Sequence, residues 1–213
     1  MKLLKNSVVG FIVSFIGSIP LGYLNIVGFE IYIGFGLKSL LLFLLGVVVI
    51  EAFVVYFTLL FARKLVKNKK LMKAIDVFGI VFLLFLAYSF YSHANQTITD
   101  KDYLKTYVAF SPFLIGLLLS SLNFLQLPFW TVWNLYLINA NYIKVSDSRL
   151  KGFFVVGTVV GTVAGMLTLI YVLHTISTTA TGLSSYPMPI IIPLFFIILA
   201  LVQLYKVIKK HVL

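Results

Sequence analysis

The stretch GSIPLGYLN (residues 17–25) lies within a run of valine, isoleucine and phenylalanine that is otherwise typical of a membrane-spanning helix. Proline in a helix interior removes a backbone hydrogen bond and clashes with the preceding turn. Glycine and asparagine are also poor helix formers. The stretch therefore predicts a break in the first apolar helix, at a depth where freed backbone groups must be buried in protein or line a wet cavity.

The composition is that of an integral membrane protein. The chain is 61% hydrophobic and 11% charged, with a mean hydropathy of +1.07, whereas a soluble domain is about half apolar and a quarter charged. Several runs are long enough to cross about 30 Å of hydrocarbon, which takes about 20 helical residues. We expect one all-α domain over residues 1–213. The first run is too long for a signal peptide and lacks a small-residue cleavage site, so we expect it to be retained.

Basic residues outnumber acidic ones by 17 to 6, which gives a net charge of +11. In a membrane protein such residues set topology and contact anionic lipid, so we expect membrane lipids as partners and no nucleic acid. The chain has no cysteine, and its three histidines have no metal-ligand spacing. We therefore expect no metal and no cofactor.

The distribution of charge predicts the topology. Fourteen of the 17 basic residues fall on the face that holds both termini, and the other face holds Lys38, Lys101 and Lys105. Cytoplasmic loops carry an excess of lysine and arginine. This pattern predicts a multi-pass protein of the cell (inner) membrane with cytoplasmic N- and C-termini. The apolar runs predict six spans, approximately at residues 7–28, 39–61, 74–92, 110–138, 152–175 and 188–207.

A second interruption, SSLNFLQLPFW (residues 120–130), lies in the fourth run, which is too long for one straight helix. Spans one and four are thus both interrupted, and each begins a set of three. Because each set crosses the membrane three times, an odd number, the second set begins on the opposite side and is inverted relative to the first. The sequence predicts two inverted three-helix repeats, approximately residues 1–100 and 101–213. Gly46 then matches Gly157, and this register puts Glu51 opposite Thr162.

Paired breaks in inverted halves are typical of a transporter whose binding site lies near the bilayer midplane. Backbone N–H groups freed at a break can hold a carboxylate, and freed carbonyl groups can hold a cation. The alternative is two simple kinks, because membrane helices often carry glycine and proline. The candidate substrate-binding residues are Pro20, Gly22 and Asn25 in the first break and Asn123, Gln126 and Pro128 in the second.

Glu51 is the candidate proton-coupling residue. It lies near the middle of the second span, where an acidic side chain costs about 2.5–3.5 kcal/mol on insertion scales. Low dielectric favours its neutral form, so such a carboxyl can bind and release a proton. The alternative is a structural acid that is hydrogen-bonded to a neighbouring helix. Thr58 lies two turns further along the same face, which suggests a row of polar side chains, a polar track, along this span. We find no phosphate-binding loop and no catalytic nucleophile set, and expect no enzyme.

These motifs resemble the LysE-type (LysE/RhtB) exporter superfamily over essentially the whole chain, especially its short divergent members in Bacteroidetes-like bacteria. GSIPLGYLN is similar to the family's Pro–Gly signature in the first span, and SSLNFLQLPFW to its Asn–Pro segment in the fourth. GVVVIEAF (residues 46–53) resembles its glycine-rich second-span stretch, whose acidic residue corresponds to Glu51. The chain departs from the family where Leu21 separates Pro20 from Gly22.

The resemblance implies a secondary transporter that exports amino acids or related small metabolites and is driven by the proton gradient. Two alternatives remain: an inorganic cation exporter of the same superfamily, or a non-transporting membrane scaffold. The short loops weigh against a scaffold with a large docking surface. The sequence leaves open the identity of the small-molecule substrate, the coupling ion and its stoichiometry, the direction of transport and the presence of a homo-oligomer.

Overall fold

The computed structural model describes residues 2–19, 22–94 and 111–179, together with residues 194, 197–198, 200–205 and 207–208. The third loop and the start of the predicted sixth span lie outside these ranges. All regular structure within them is helical, which confirms the prediction of an all-α chain at that level. The helices are α1 (Lys2–Ser18), α2 (Tyr23–Lys67), α3 (Lys69–Ala94), α4 (Pro112–Leu122), α5 (Gln126–Asn139) and α6 (Ser148–Thr179).

The chain divides into two compact units, residues 1–68 with 111–173 and residues 69–110 with 174–213. The first unit holds α1, α2, α4, α5 and most of α6, and it contains every described candidate site residue. The second unit holds α3. Within it, Gln203 Nε2 donates a hydrogen bond of 3.3 Å to Oδ1 of the buried Asp76.

By length and composition alone, two helical segments could cross a membrane: Tyr23–Ala62, which includes the non-helical Gly36, and Ser148–Ser177. A third span results if α4 and α5, which are bent by 70° at their break, are counted as one. The helices are therefore consistent with a membrane protein, as the composition predicts. The described residues show two or three candidate spans, and the predicted count of six stays a prediction.

Helix α2 changes direction at Gly36, whose φ of 77° and ψ of −176° are not helical. A positive φ is readily adopted only by glycine. A Cβ added at Gly28 would lie 3.5 Å from Leu40 Cδ1, although twelve residues of straight helix would separate the two by about 18 Å. Helix α2 therefore folds back on itself at Gly36 and has two arms, residues 23–35 and 37–67. The predicted boundary between spans one and two falls at this reversal.

Glycines bring α1 and α6 into backbone contact. A Cβ added at Gly157 would lie 2.1 Å from Ser7 O, and one at Gly161 would lie 2.4 Å from Phe11 O. The contacts follow the same order along both helices, so α1 and α6 are parallel. Small residues allow this close approach between membrane helices.

The same kind of contact joins α4 to the second arm of α2. A Cβ added at Gly46 would lie 2.1 Å from Phe113 O, and one at Gly116 would lie 2.1 Å from Phe43 O. One hydroxyl adds to the contact, because Ser120 Oγ donates to Val47 O at 3.1 Å. The equivalent contacts of Phe43 with Gly116 and of Val47 with Ser120 ascend along both helices, so these two helices are parallel as well.

The start of α1 is hydrogen-bonded to the segment that precedes α6 and to the first turn of α6. The buried Asn6 donates from Nδ2 to Lys144 O at 2.8 Å and to Leu150 O at 2.9 Å. Its Oδ1 accepts the backbone N–H of Lys144 at 3.2 Å, and Lys5 Nζ donates to Asn141 O at 3.3 Å. The basic residues of the N-terminus and of the predicted fourth loop therefore lie at the same end of the first unit.

Candidate functional site

The first break separates α1, which ends at Ser18, from α2, which begins at Tyr23. Pro20, one of the predicted site residues, lies outside the described residues. Buried Asn25 donates from Nδ2 to Ser18 O at 3.0 Å, and its backbone N–H donates to Gly22 O at 3.0 Å. The end of a helix leaves carbonyl groups without helical partners. The Asn25 amide therefore satisfies one of these carbonyl groups across the break.

The second break lies between α4 and α5, and its chemistry is similar. Gln126 Nε2 donates to Ser120 O at 2.8 Å, so a side-chain amide from the following helix again bonds a carbonyl of the preceding one. Asn123 takes part through its backbone, with its N–H donating to Ser120 O at 3.1 Å. The structural counterpart of Asn25 is therefore Gln126. Half-buried Pro128 lies in the first turn of α5, where proline is tolerated.

The two breaks lie against each other. Tyr23 Oη, just after the first break, donates to Leu119 O at 2.8 Å, just before the second. A Cβ added at Gly17, just before the first break, would lie 2.9 Å from Phe129 Cζ, just after the second. The broken segments of α1–α2 and α4–α5 are thus packed against each other.

Glu51 lies in the second arm of α2 and is only 8% exposed. The hydroxyl of Thr162 on α6 and the indole of Trp130 on α5 are within hydrogen-bonding reach of its carboxyl. Within the described part of the chain, Glu51 Oε2 has no hydrogen-bond partner. Buried polar groups are normally hydrogen-bonded. This unpaired carboxyl oxygen is therefore a place where a proton or a hydrogen-bond donor can bind.

The contact between Glu51 and Thr162 continues to α1. The hydroxyl groups of Thr162 and Ser14, both buried, are hydrogen-bonded to each other. Three polar side chains thus form a series from α2 through α6 to α1. The register of the predicted repeats aligns Glu51 with Thr162 as equivalent positions, and their contact in the structure is an additional finding. Ser14 was not predicted, although its position four residues after Gly10 is a signal of a small-residue interface.

A second polar group lies one to two turns further along α2 and α5. Asn134 Nδ2 donates to Thr58 Oγ1 at 2.9 Å and to Val55 O at 3.4 Å. Asn134 and Thr131 are fully buried, and Asn134 Oδ1 and Thr131 Oγ1 have no hydrogen-bond partner among the described residues. The polar track suggested by Thr58 therefore includes α5. Asn134 could have been found from sequence, because an amide within an apolar helix is itself a signal of a polar contact.

Comparisons with known proteins identify no match to this chain. No protein-family model, no curated protein and no solved structure significantly matches the chain. The described ranges contain no group of three or more histidine, aspartate or glutamate side chains that could hold a metal ion. The resemblance to LysE-type exporters stays a prediction from the quoted motifs.

Proposed function

We propose that the protein is a secondary transporter of the inner membrane that exports amino acids or related small metabolites in exchange for protons. The observation that carries this proposal is the environment of Glu51. Its buried carboxyl, which has one oxygen without a hydrogen-bond partner among the described residues, lies where α2, α5 and α6 meet. The same unit contains two broken spans that pack against each other. Ionisable residues at membrane depth are costly and commonly mark proton or solute pathways.

The glycine contacts support the inverted repeat on which this proposal depends. The contact of Gly10 with Phe154 O on α6 has a counterpart in the contact of Gly116 with Phe43 O on α2. One sequence offset relates Gly10 to Gly116, and a second offset relates Phe43 to Phe154. The pairing of α1 with α6 is therefore repeated, position by position, in the pairing of α4 with α2.

The same correspondence explains the position of Glu51. The offset that relates Gly46 to Gly157 also relates Glu51 to Thr162. Two residues in equivalent positions of a two-fold repeat can touch only close to the repeat axis. Glu51 therefore lies near the axis about which the two halves of an inverted-repeat transporter would rearrange.

The two breaks supply the solute site. The start of α2 at Gly22 and Asn25 and the start of α5 at Gln126 and Pro128 carry the positive ends of helix dipoles, which attract a carboxylate. The carbonyl groups of Ser18 and Ser120 attract an ammonium group. In the structure these carbonyl groups accept the amides of Asn25 and Gln126. Solute binding would replace these internal hydrogen bonds with hydrogen bonds to the solute.

Glu51 couples this site to the proton gradient. Protonation from the outside removes the cost of a buried anion and lets the two helix pairs repack so that the solute is released there. Release of the proton to the cytoplasm resets the site. The gradient drives export only if the protonated and deprotonated states favour different arrangements of the helices, since a ligand shifts an equilibrium by its differential affinity.

A comparison of cells with and without the protein tests the proposed function. The intracellular content of amino acids and related metabolites is measured by mass spectrometry in both. An amino acid retained only in the deletion strain is the expected result. A change in metal sensitivity alone would favour the cation exporter. Loss of a partner protein from the membrane, with no solute retained, would favour the scaffold.

The topology is tested by labelling single cysteines, because the chain has none of its own. We expect a cysteine at Asn68, beside the basic loop after the second span, to be protected from an impermeant reagent outside the cell. A cysteine at Asn95, which lies outside the described residues, should react. The opposite labelling pattern would contradict the charge-based orientation.

A further inference from the structure

We propose that Thr162 and Ser14 form the proton path between Glu51 and the first break. The proposal rests on the proposed function and assigns a route to its proton. Its basis is the series of contacts that begins at the Glu51 carboxyl, passes through the Thr162 hydroxyl and ends at Ser14 on α1.

The chemistry of the two neighbours of Glu51 decides which of them can relay a proton. The Trp130 indole is a hydrogen-bond donor only, so it can stabilise the carboxyl but cannot receive a proton from it. A threonine hydroxyl both donates and accepts. Of the two groups within reach of Glu51, only Thr162 can therefore take up a proton on one side and pass one on.

The path ends where the solute is proposed to bind. Ser14 lies one turn before Ser18, and residues four apart share a helix face. The carbonyl of Ser18 is the one that accepts the Asn25 amide across the first break. When Glu51 gives up its proton, Thr162 accepts it and passes its own hydroxyl proton to Ser14, and Ser14 passes its hydroxyl proton to water or to the solute in the first break. Uptake runs in the reverse order, so proton transfer is linked to the residues that hold the solute.

The other carboxyl on α2, Glu30, lies in the first arm, before the reversal at Gly36. In the part of the chain that the structure describes, the polar side chains that other helices bring to Glu51 are Trp130 from α5, Thr162 from α6 and, through Thr162, Ser14 from α1. Ser120 from α4 and Asn134 from α5 donate to carbonyl groups of the same arm, Val47 O and Val55 O. All are neutral at any pH used for transport. Changes in pH dependence at this centre therefore report on Glu51 and its path.

The test uses the full-length protein in liposomes loaded with the 20 standard amino acids, with a more acidic medium outside. Efflux is measured by mass spectrometry at several pH values. We expect Thr162→Val to slow gradient-driven efflux about 100-fold, at the low end of what a positioned proton-transfer group contributes. Its rate should rise with external proton concentration more steeply than that of the wild type, because proton delivery becomes limiting. Thr162→Ser, which keeps the hydroxyl, should transport at close to the normal rate.

A packing role predicts the opposite order, because valine keeps the shape of threonine and serine loses a methyl group. Thr158→Val is the matched control, one turn away on α6. The Thr158 hydroxyl donates to Val155 O of its own helix at 2.7 Å, so this variant should transport normally. If Thr162→Val does not fold, Ser14→Ala interrupts the same path and should also slow efflux.

The path would be overturned by normal efflux in Thr162→Val with an unchanged pH profile, or by an equal loss in the valine and serine variants. If Thr162→Val does not fold, normal efflux in Ser14→Ala would overturn it too. Absence of gradient-driven efflux in the wild type would instead contradict the proposed function itself, and the path with it. The two failures are thus distinguished by the wild-type measurement.

Discussion

Replacing Glu51 with glutamine is expected to abolish uphill efflux while the protein still inserts and folds. Glutamine keeps the volume of the side chain and can hydrogen-bond to Thr162 and Trp130, but it cannot bind and release a proton. Exchange of solute at equal pH on both sides should survive, because exchange does not require Glu51 to titrate. The measurement is efflux of a loaded amino-acid mixture from liposomes, at matched protein content, with and without a proton gradient.

Glu51→Asp is the matched variant for this experiment. Aspartate titrates but has a shorter reach toward Thr162, so we expect partial coupling. If Glu51 is only a structural acid, glutamine can replace it at the junction of the helices, and efflux should stay near normal. Equal, gradient-dependent efflux by the wild type and Glu51→Gln would eliminate Glu51 as the coupling residue.

Replacing Gly157 with alanine is expected to destabilise the protein strongly. The added Cβ would lie 2.1 Å from Ser7 O and 2.7 Å from Ser7 C, so backbone atoms of α1 and α6 must move apart. Overpacking of this kind costs about 1–3 kcal/mol. The consequence should be a lower midpoint of thermal unfolding in detergent and a lower yield of folded protein.

Gly152 on the same helix provides the control, because a Cβ added there would meet no atom within 4 Å. Gly152→Ala should be neutral or slightly stabilising, since alanine is favoured over glycine in a helix by about 1 kcal/mol. Similar unfolding midpoints for the two variants would contradict the close packing of α1 on α6.

The breaks could be predicted from sequence because their causes are local. Proline within an apolar run removes a helical hydrogen bond whatever surrounds it, and both interruptions occur where the sequence places them. Such features depend only on residue type and spacing, and both are visible in a single sequence.

The partners across helices could not be predicted in the same way. That Gln126, and not Asn123, serves as the counterpart of Asn25 depends on which carbonyl groups face each amide after folding. Ser14 and Asn134 are isolated polar residues in apolar helices, and their roles become visible only when the faces of α1, α2, α5 and α6 are known. Tertiary packing decides these contacts.

Solute-driven proton movement in liposomes shows directly whether export by this protein is coupled to protons. Purified protein is reconstituted with the 20 amino acids and a pH-sensitive dye inside, and no pH gradient is imposed at the start. Dilution into solute-free buffer creates an outward solute gradient. We expect the interior to become acidic with the wild type, because solute leaves in exchange for protons, and to stay unchanged with Glu51→Gln or without protein. An interior pH that does not respond in the wild type would contradict proton-coupled export.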